Sequence, residues 1–136
     1  MTTLLEPNDP KKAAEYFERK IAFTLGPMEL QYYRDEGRQF VLIDVRDPED
    51  FAESHIPGAI NLPEDRWSSF GGLARDRMNI LYCYSNVCHL ASNAALQFSK
   101  AGFPVMEMEG GFDAWEDHEL DVEIGSSVLK PSSWAA

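Results

Sequence analysis

Ile80-Leu81-Tyr82-Cys83-Tyr84-Ser85-Asn86-Val87-Cys88-His89-Leu90 decides how this chain is read. Residues 80–82 are an apolar run, 84–89 are mostly polar, and a helical spacing of apolar residues begins at Leu90. That order reads as strand, tight loop and helix start. A thiol at the strand end faces the unpaired amides and positive dipole end of the helix, a setting that favours thiolate and cradles anionic sulfur or oxygen. Cys83 is therefore the candidate nucleophile. The competing reading is a buried, inert cysteine, the common fate of a free thiol.

Working outward, Phe40–Ile43 and Ala59–Leu62 are, like Ile80–Tyr82, short apolar segments with little polar alternation, predicted as strands buried on both faces, and Val105–Met108 is a further short apolar segment. Helical patterns separate them. Glu49–Ser54 gives one or two turns, Glu64–Ala74 an irregular helix broken by Gly71-Gly72, and Leu90–Ala101 a helix with Leu90, Ala94, Ala95, Phe98 and Ala101 on one stripe. Gly102 is placed as its left-handed cap. Pro27 starts a helix that stops at Gly37, and Ala14, Tyr16, Phe17 and Ile21 belong to an earlier one, both expected to pack on the sheet. Strands alternating with helices predict an α/β fold, a small, mainly parallel sheet with helices on both faces, whose ligands bind beyond the carboxyl ends of strands. Cys83 occupies such an end. The aperiodic segment 124–136 is expected to be disordered or docked through Val128, Leu129 and Trp134.

With 136 residues and 44% hydrophobic content, one core can form without metals or disulfides. The net charge of −11 repels nucleic acid and anionic membrane, so neither is an expected partner. No apolar stretch approaches membrane-spanning length, and Met1–Lys12 lacks the basic start and apolar centre of a secretory signal, so the expected location is cytoplasmic. Two cysteines five positions apart in a reducing compartment read as redox, catalytic or incidental rather than as a disulfide framework.

Four blocks in order, Val41-Leu42-Ile43-Asp44-Val45-Arg46, Glu53-Ser54-His55-Ile56-Pro57-Gly58-Ala59-Ile60-Asn61-Leu62-Pro63, Leu81-Tyr82-Cys83 and Glu109-Gly110-Gly111-Phe112-Asp113-Ala114-Trp115, closely resemble the rhodanese-like sulfurtransferase family. His55–Pro63 is the most specific of them. The resemblance implies a rhodanese-like domain over 25–123, with an N-terminal helical extension over 1–24 and a C-terminal tail over 124–136. It implies a thiosulfate sulfurtransferase that holds sulfane sulfur as a Cys83 persulfide, using a small sulfur donor and a thiol acceptor and no cofactor or metal. The loop residues Tyr84, Ser85, Asn86, Val87, Cys88 and His89 would bind the substrate through inward-pointing amides, with Asp44 and Arg46 supporting. Many members read Cys-x-x-Gly-x-Arg here, whereas this chain has Asn86 at the glycine position and Cys88 at the arginine position, as in a subgroup with a Cys-x-x-x-x-Cys loop. Asn86 suits a left-handed turn. The missing arginine leaves the donor open.

The remaining candidates each have a plainer role beside the chemical one. Cys88 resolves a persulfide or packs in the loop; His89 pairs with a thiolate or is solvated; His55 bonds locally; His118 is solvated. Arg46 is expected to pair with an acid such as Glu53, and Asp44 to orient the loop or cap a turn. Phe112 and Trp115 read as anchors of a final helix. Cys83, Cys88, His55 and His89 fit no common zinc spacing. Beside the sulfurtransferase stand a phosphatase of the same fold, disfavoured because the loop lacks a terminal arginine, and a non-catalytic rhodanese-like module for protein binding or sulfur sensing.

Overall fold

Five strands, β1 (Thr24–Leu25), β2 (Val41–Asp44), β3 (Ile60–Asn61), β4 (Asn79–Tyr82) and β5 (Val105–Met108), form one sheet in the order β1-β5-β4-β2-β3. Every pairing in it is parallel. The structure is a computed structural model that describes residues 2–125 and 127–129. Alternation along β4 distributes its side chains. Ile80 and Tyr82 enter the cluster containing Leu30, Phe112, Trp115 and Val122, while Leu81 and Cys83 enter the opposite one with Ala91, Ala94, Phe98 and Trp67. Helices α2 (Pro27–Asp35) and α5 (Gly111–Asp117) therefore cover one face. Helix α4 (Leu90–Lys100) and a 3-10 helix over Glu64–Ser69 cover the other. Between β2 and β3, α3 (Pro48–Glu53) forms the predicted short turn of helix. Gly102, at φ +93°, follows α4 as its left-handed stop.

Several expectations shift. The helix expected over 64–74 survives only as the 3-10 segment, which ends where Phe70 turns left-handed at φ 54°. Helix α1 (Pro10–Phe23) forms, but it buries no residue against the sheet, and Tyr16, Phe17, Ile21 and Phe23 are exposed. Strand β1 was not anticipated, being too short to show a period of two. Residues 127–129 of the expected aperiodic tail form β7 (Ser127–Leu129), antiparallel to β6 (Val122–Ile124); Trp134 lies outside the described residues. No helix among the described residues is long and apolar enough to cross a membrane.

Candidate active site

Cys83 directly follows β4, the middle strand, and is 3% exposed. The period of two that sends Ile80 and Tyr82 to one face sends Cys83 to the other, beneath the N-terminus of α4. The loop then folds tightly: Cys88 N–H donates to Ser85 O at 3.3 Å, and Val87 N–H to Ser85 Oγ at 3.4 Å. Leu90 N–H, the first amide of α4, donates to Cys88 Sγ at 3.4 Å. These three amides are thus engaged within the loop, and the backbone N–H groups that favour a Cys83 thiolate are those of Ala91 and Ser85. Carbonyls face the same sulfur, with Cys88 O at 3.6 Å and Ser85 O at 3.9 Å as acceptors for the thiol.

This corrects the electrostatic expectation. Burial, followed by a side-chain hydrogen bond with Cys88, pushes the Cys83 thiol up from 9.0 to about 11, and the Ala91 and Ser85 amides only partly offset it. The sequence pattern locates the sulfur but does not reveal how far the packing of α4 removes it from water. Asn86 does not adopt the left-handed conformation either; among the described residues only Phe70 and Glu119 do so without being glycine. Asn86, Val87 and His89 are exposed, and no ring hydrogen bond joins His89 to Cys83 among the described residues.

Asp44 and Arg46 converge behind the loop. Arg46 pairs with Asp44 rather than Glu53, because residues two apart at a strand end share one side. Its Nε donates to both carboxylate oxygens at 3.0 and 3.1 Å, Nη2 to Oδ2 at 2.8 Å, and its own backbone N–H to Oδ1 at 2.9 Å. Nη2 also reaches Ser54 O at 2.6 Å, and the guanidinium carbon lies 4.3 Å from the centre of the Phe112 ring. Burial works against the Arg46 charge, yet the Asp44 hydrogen bonds prevail and raise its pKa. Tyr82 OH, donating to Asp44 Oδ2 at 2.7 Å and accepting from Ile56 N–H at 3.1 Å, joins the pair to the His55–Pro63 block. That hydroxyl was overlooked, though a tyrosine inside a buried strand implies a partner for its O–H. Beyond the loop, Tyr84 OH accepts from Asp47 N–H at 3.1 Å and donates to Asp50 Oδ2 at 2.5 Å. Burial and the Asp50 bond push the Tyr84 phenol to about 12. His55 bonds locally, as expected, through Nδ1, 2.7 Å from Phe51 O with the ring stacked on Phe51, but its Nε2 also lies 3.4 Å from Glu123 Oε1, a distant partner that the local sequence does not reveal.

Helix α5 holds the loop from its other side. Phe112 N–H donates to Cys83 O at 2.8 Å and Asp113 N–H to Tyr84 O at 3.0 Å. Gly111, at φ +62°, permits this approach, since a Cβ there would stand 2.6 Å from Ser85 N and 2.7 Å from Cys83 O. Ser85, Asn86, Gly110, Ala114 and the acidic Asp113 and Asp117 line a shallow cleft beside the loop. No cluster of three or more metal-ligating side chains occurs among the described residues.

A family model described as the rhodanese-like domain matches residues 28–118, the span that holds β2 through α5 and the Cys83 loop. The chain belongs to the rhodanese-like family. The thiosulfate sulfurtransferase GlpE of Pseudomonas aeruginosa is 30% identical over 106 residues, covering 76% of this chain and 93% of that protein. A probable adenylyltransferase/sulfurtransferase, MoeZ, of Mycobacterium tuberculosis is 41% identical over 96 residues, or 68% of this chain. The match spans only 24% of MoeZ. The crystal structure of the BH2092 protein from Bacillus halodurans superposes with a TM-score of 0.78 at 30% identity, covering 87% of this chain and 88% of that one. Within this rhodanese-like domain, Cys83 and the loop through His89 form one compact unit, with Asp44 and Arg46 behind it.

Proposed function

We propose that this rhodanese-like domain is a sulfurtransferase that carries sulfane sulfur on Cys83. The observation that carries the reading is the position of Cys83 at the end of the middle strand, packed against Ala91 in the first turn of α4. The Cys83 thiolate attacks the outer sulfur of thiosulfate or a similar donor, the S–S bond breaks, and sulfite leaves with the bonding pair. A thiol acceptor then attacks the outer persulfide sulfur and returns Cys83 to its thiolate, so two displacements complete one transfer. Burial disfavours the starting thiolate, but the persulfide carries its charge one atom further out, where desolvation penalises it less. The Asp44–Arg46 pair acts by position: Asp44, held by Arg46, accepts from Tyr82 OH and so ties the end of β2 to β4, and the pair takes no part in either displacement. A small donor and a thiol acceptor suffice as partners; nucleic acid is disfavoured by the charge of −11, and the free thiols fit a reducing, cytoplasmic setting.

The test is intact mass together with sulfite release after thiosulfate treatment. Wild type is expected to release sulfite and Cys83→Ser none. A second reading, a non-catalytic sulfur-sensing or protein-binding module, is favoured by the deep burial of the thiol. Wild-type protein that releases no sulfite from thiosulfate would select it.

A further inference from the structure

The second thiol of the loop is not used by that mechanism. Cys88 is half-buried and, like Cys83, not in a disulfide. The Ser85–Cys88 turn folds it back until its carbonyl lies 3.6 Å from Cys83 Sγ and its side chain packs against the buried cluster that holds Cys83. Leu90 N–H then fixes the Cys88 sulfur from the α4 side at 3.4 Å. Asn86 and Val87, in the middle of the turn, are exposed, so small adjustments of the turn meet no packed neighbour.

We propose that Cys88 is a resolving thiol, which displaces the outer sulfur of a Cys83 persulfide as hydrosulfide and leaves a Cys83–Cys88 disulfide. The inference rests on the persulfide reading above. The step balances: Cys88 Sγ bonds to Cys83 Sγ, the bond from Cys83 Sγ to the outer sulfur breaks, and that sulfur departs with the bonding pair. The proton lost by Cys88 accompanies it as hydrosulfide. The outer sulfur is reduced, and the two cysteine sulfurs are oxidised together. A low-molecular-weight thiol reopens the disulfide in two exchange steps, so the net activity is thiol-dependent reduction of sulfane sulfur to sulfide. Attack within one turn competes well with external acceptors, because the nucleophile is already held beside its target.

The experiment treats reduced wild type, Cys88→Ser and Cys88→Ala with thiosulfate, and separately with an aryl thiosulfonate, whose leaving group is a sulfinate and not a thiol, in the absence of added thiol. Sulfite, sulfide and non-reducing intact mass are followed, with melting curves to confirm folding of each variant. Wild type is expected to release one equivalent of sulfide per chain and to lose the mass of two hydrogens. The Cys88 variants are expected to gain one sulfur and release no sulfide. Wild type that retains the added sulfur as stably as the variants overturns the resolving role and leaves the sulfurtransferase reading standing. If none of the proteins takes up sulfur from either donor, the persulfide reading fails and its resolution falls with it. Diamide supplies a check independent of loading: failure of reduced wild type to form an intramolecular disulfide overturns the proposal at the level of geometry.

Discussion

Burial raises the Cys83 thiol to about 11, so the first displacement of the proposed mechanism is expected to depend strongly on pH. At neutral pH roughly one chain in ten thousand carries the thiolate, and that fraction rises about tenfold for each pH unit towards the midpoint. Alkylation of Cys83 by iodoacetamide, followed by peptide mapping, is expected to accelerate with a midpoint near 11, falling in Cys88→Ala because one cause of the rise is removed. A midpoint below 9 in wild type would contradict it. Linkage has a definite sign here. Folding raises this pKa above the unfolded value near 9, so the stability it contributes is present below pH 9 and is lost as pH rises through 11. Asp44 gives a second prediction at this scale. Both members of its pair with Arg46 are buried, so Asp44→Ala strands a guanidinium, at a cost of about 3–5 kcal/mol, whereas exposed pairs such as Arg38–Glu36 contribute well under that. Urea unfolding measures the difference, and a loss below about 1 kcal/mol would show that solvent reaches Arg46.

Among the elements, α5 and the Cys83 loop behave as one unit, because two amides from the first turn of α5 hold the carbonyls of Cys83 and Tyr84. Gly111→Ala forces a Cβ into Ser85 and Cys83 backbone atoms at a left-handed position, so the start of α5 and the loop must separate. Gly37→Ala is the control: its φ is +74°, but the added Cβ meets nothing within 4 Å. Both variants are expected to lose about 1–2 kcal/mol from the left-handed backbone alone. Only Gly111→Ala should lose further stability and slow sulfur loading by about tenfold or more, since misplacement of about 1 Å can reduce a rate a hundredfold. Equal loading rates in the two variants would mean that the loop keeps its shape without α5. The Gly110-Gly111 pair was visible in the sequence beside Phe112 and Trp115. Its contact with the loop was not, because that contact joins segments more than twenty residues apart and leaves no local pattern.

For the whole molecule, legibility in the sequence follows the length over which each physical signal is repeated. Strands β2, β4 and β5 and the striped helix α4 repeat their pattern over four residues or more and were readable, whereas β1, β3 and β7, with two or three residues each, were misjudged in extent or missed. The position of Cys83 followed from the strand, loop and helix order, but its ionisation depends on how tightly α4 closes over it, a property of tertiary packing. Helix α1 fails in the opposite sense. Its pattern predicts a helix correctly, yet periodicity says nothing of a partner, and none of its residues is buried. Among the described residues its ion pair with the body is the exposed Lys20–Glu109 contact at 3.9 Å, which contributes little in water. A chain beginning at Thr24 retains β1, the sheet and both core clusters. It is expected to unfold within about 1 kcal/mol of the full-length chain in urea, with an unchanged rate of Cys83 alkylation. Removing Tyr16, Phe17, Ile21 and Phe23, which are each more than half exposed, should also reduce binding of a hydrophobic dye. A loss of several kcal/mol on truncation would instead show that α1 is covered in solution, by the domain itself or by a second copy.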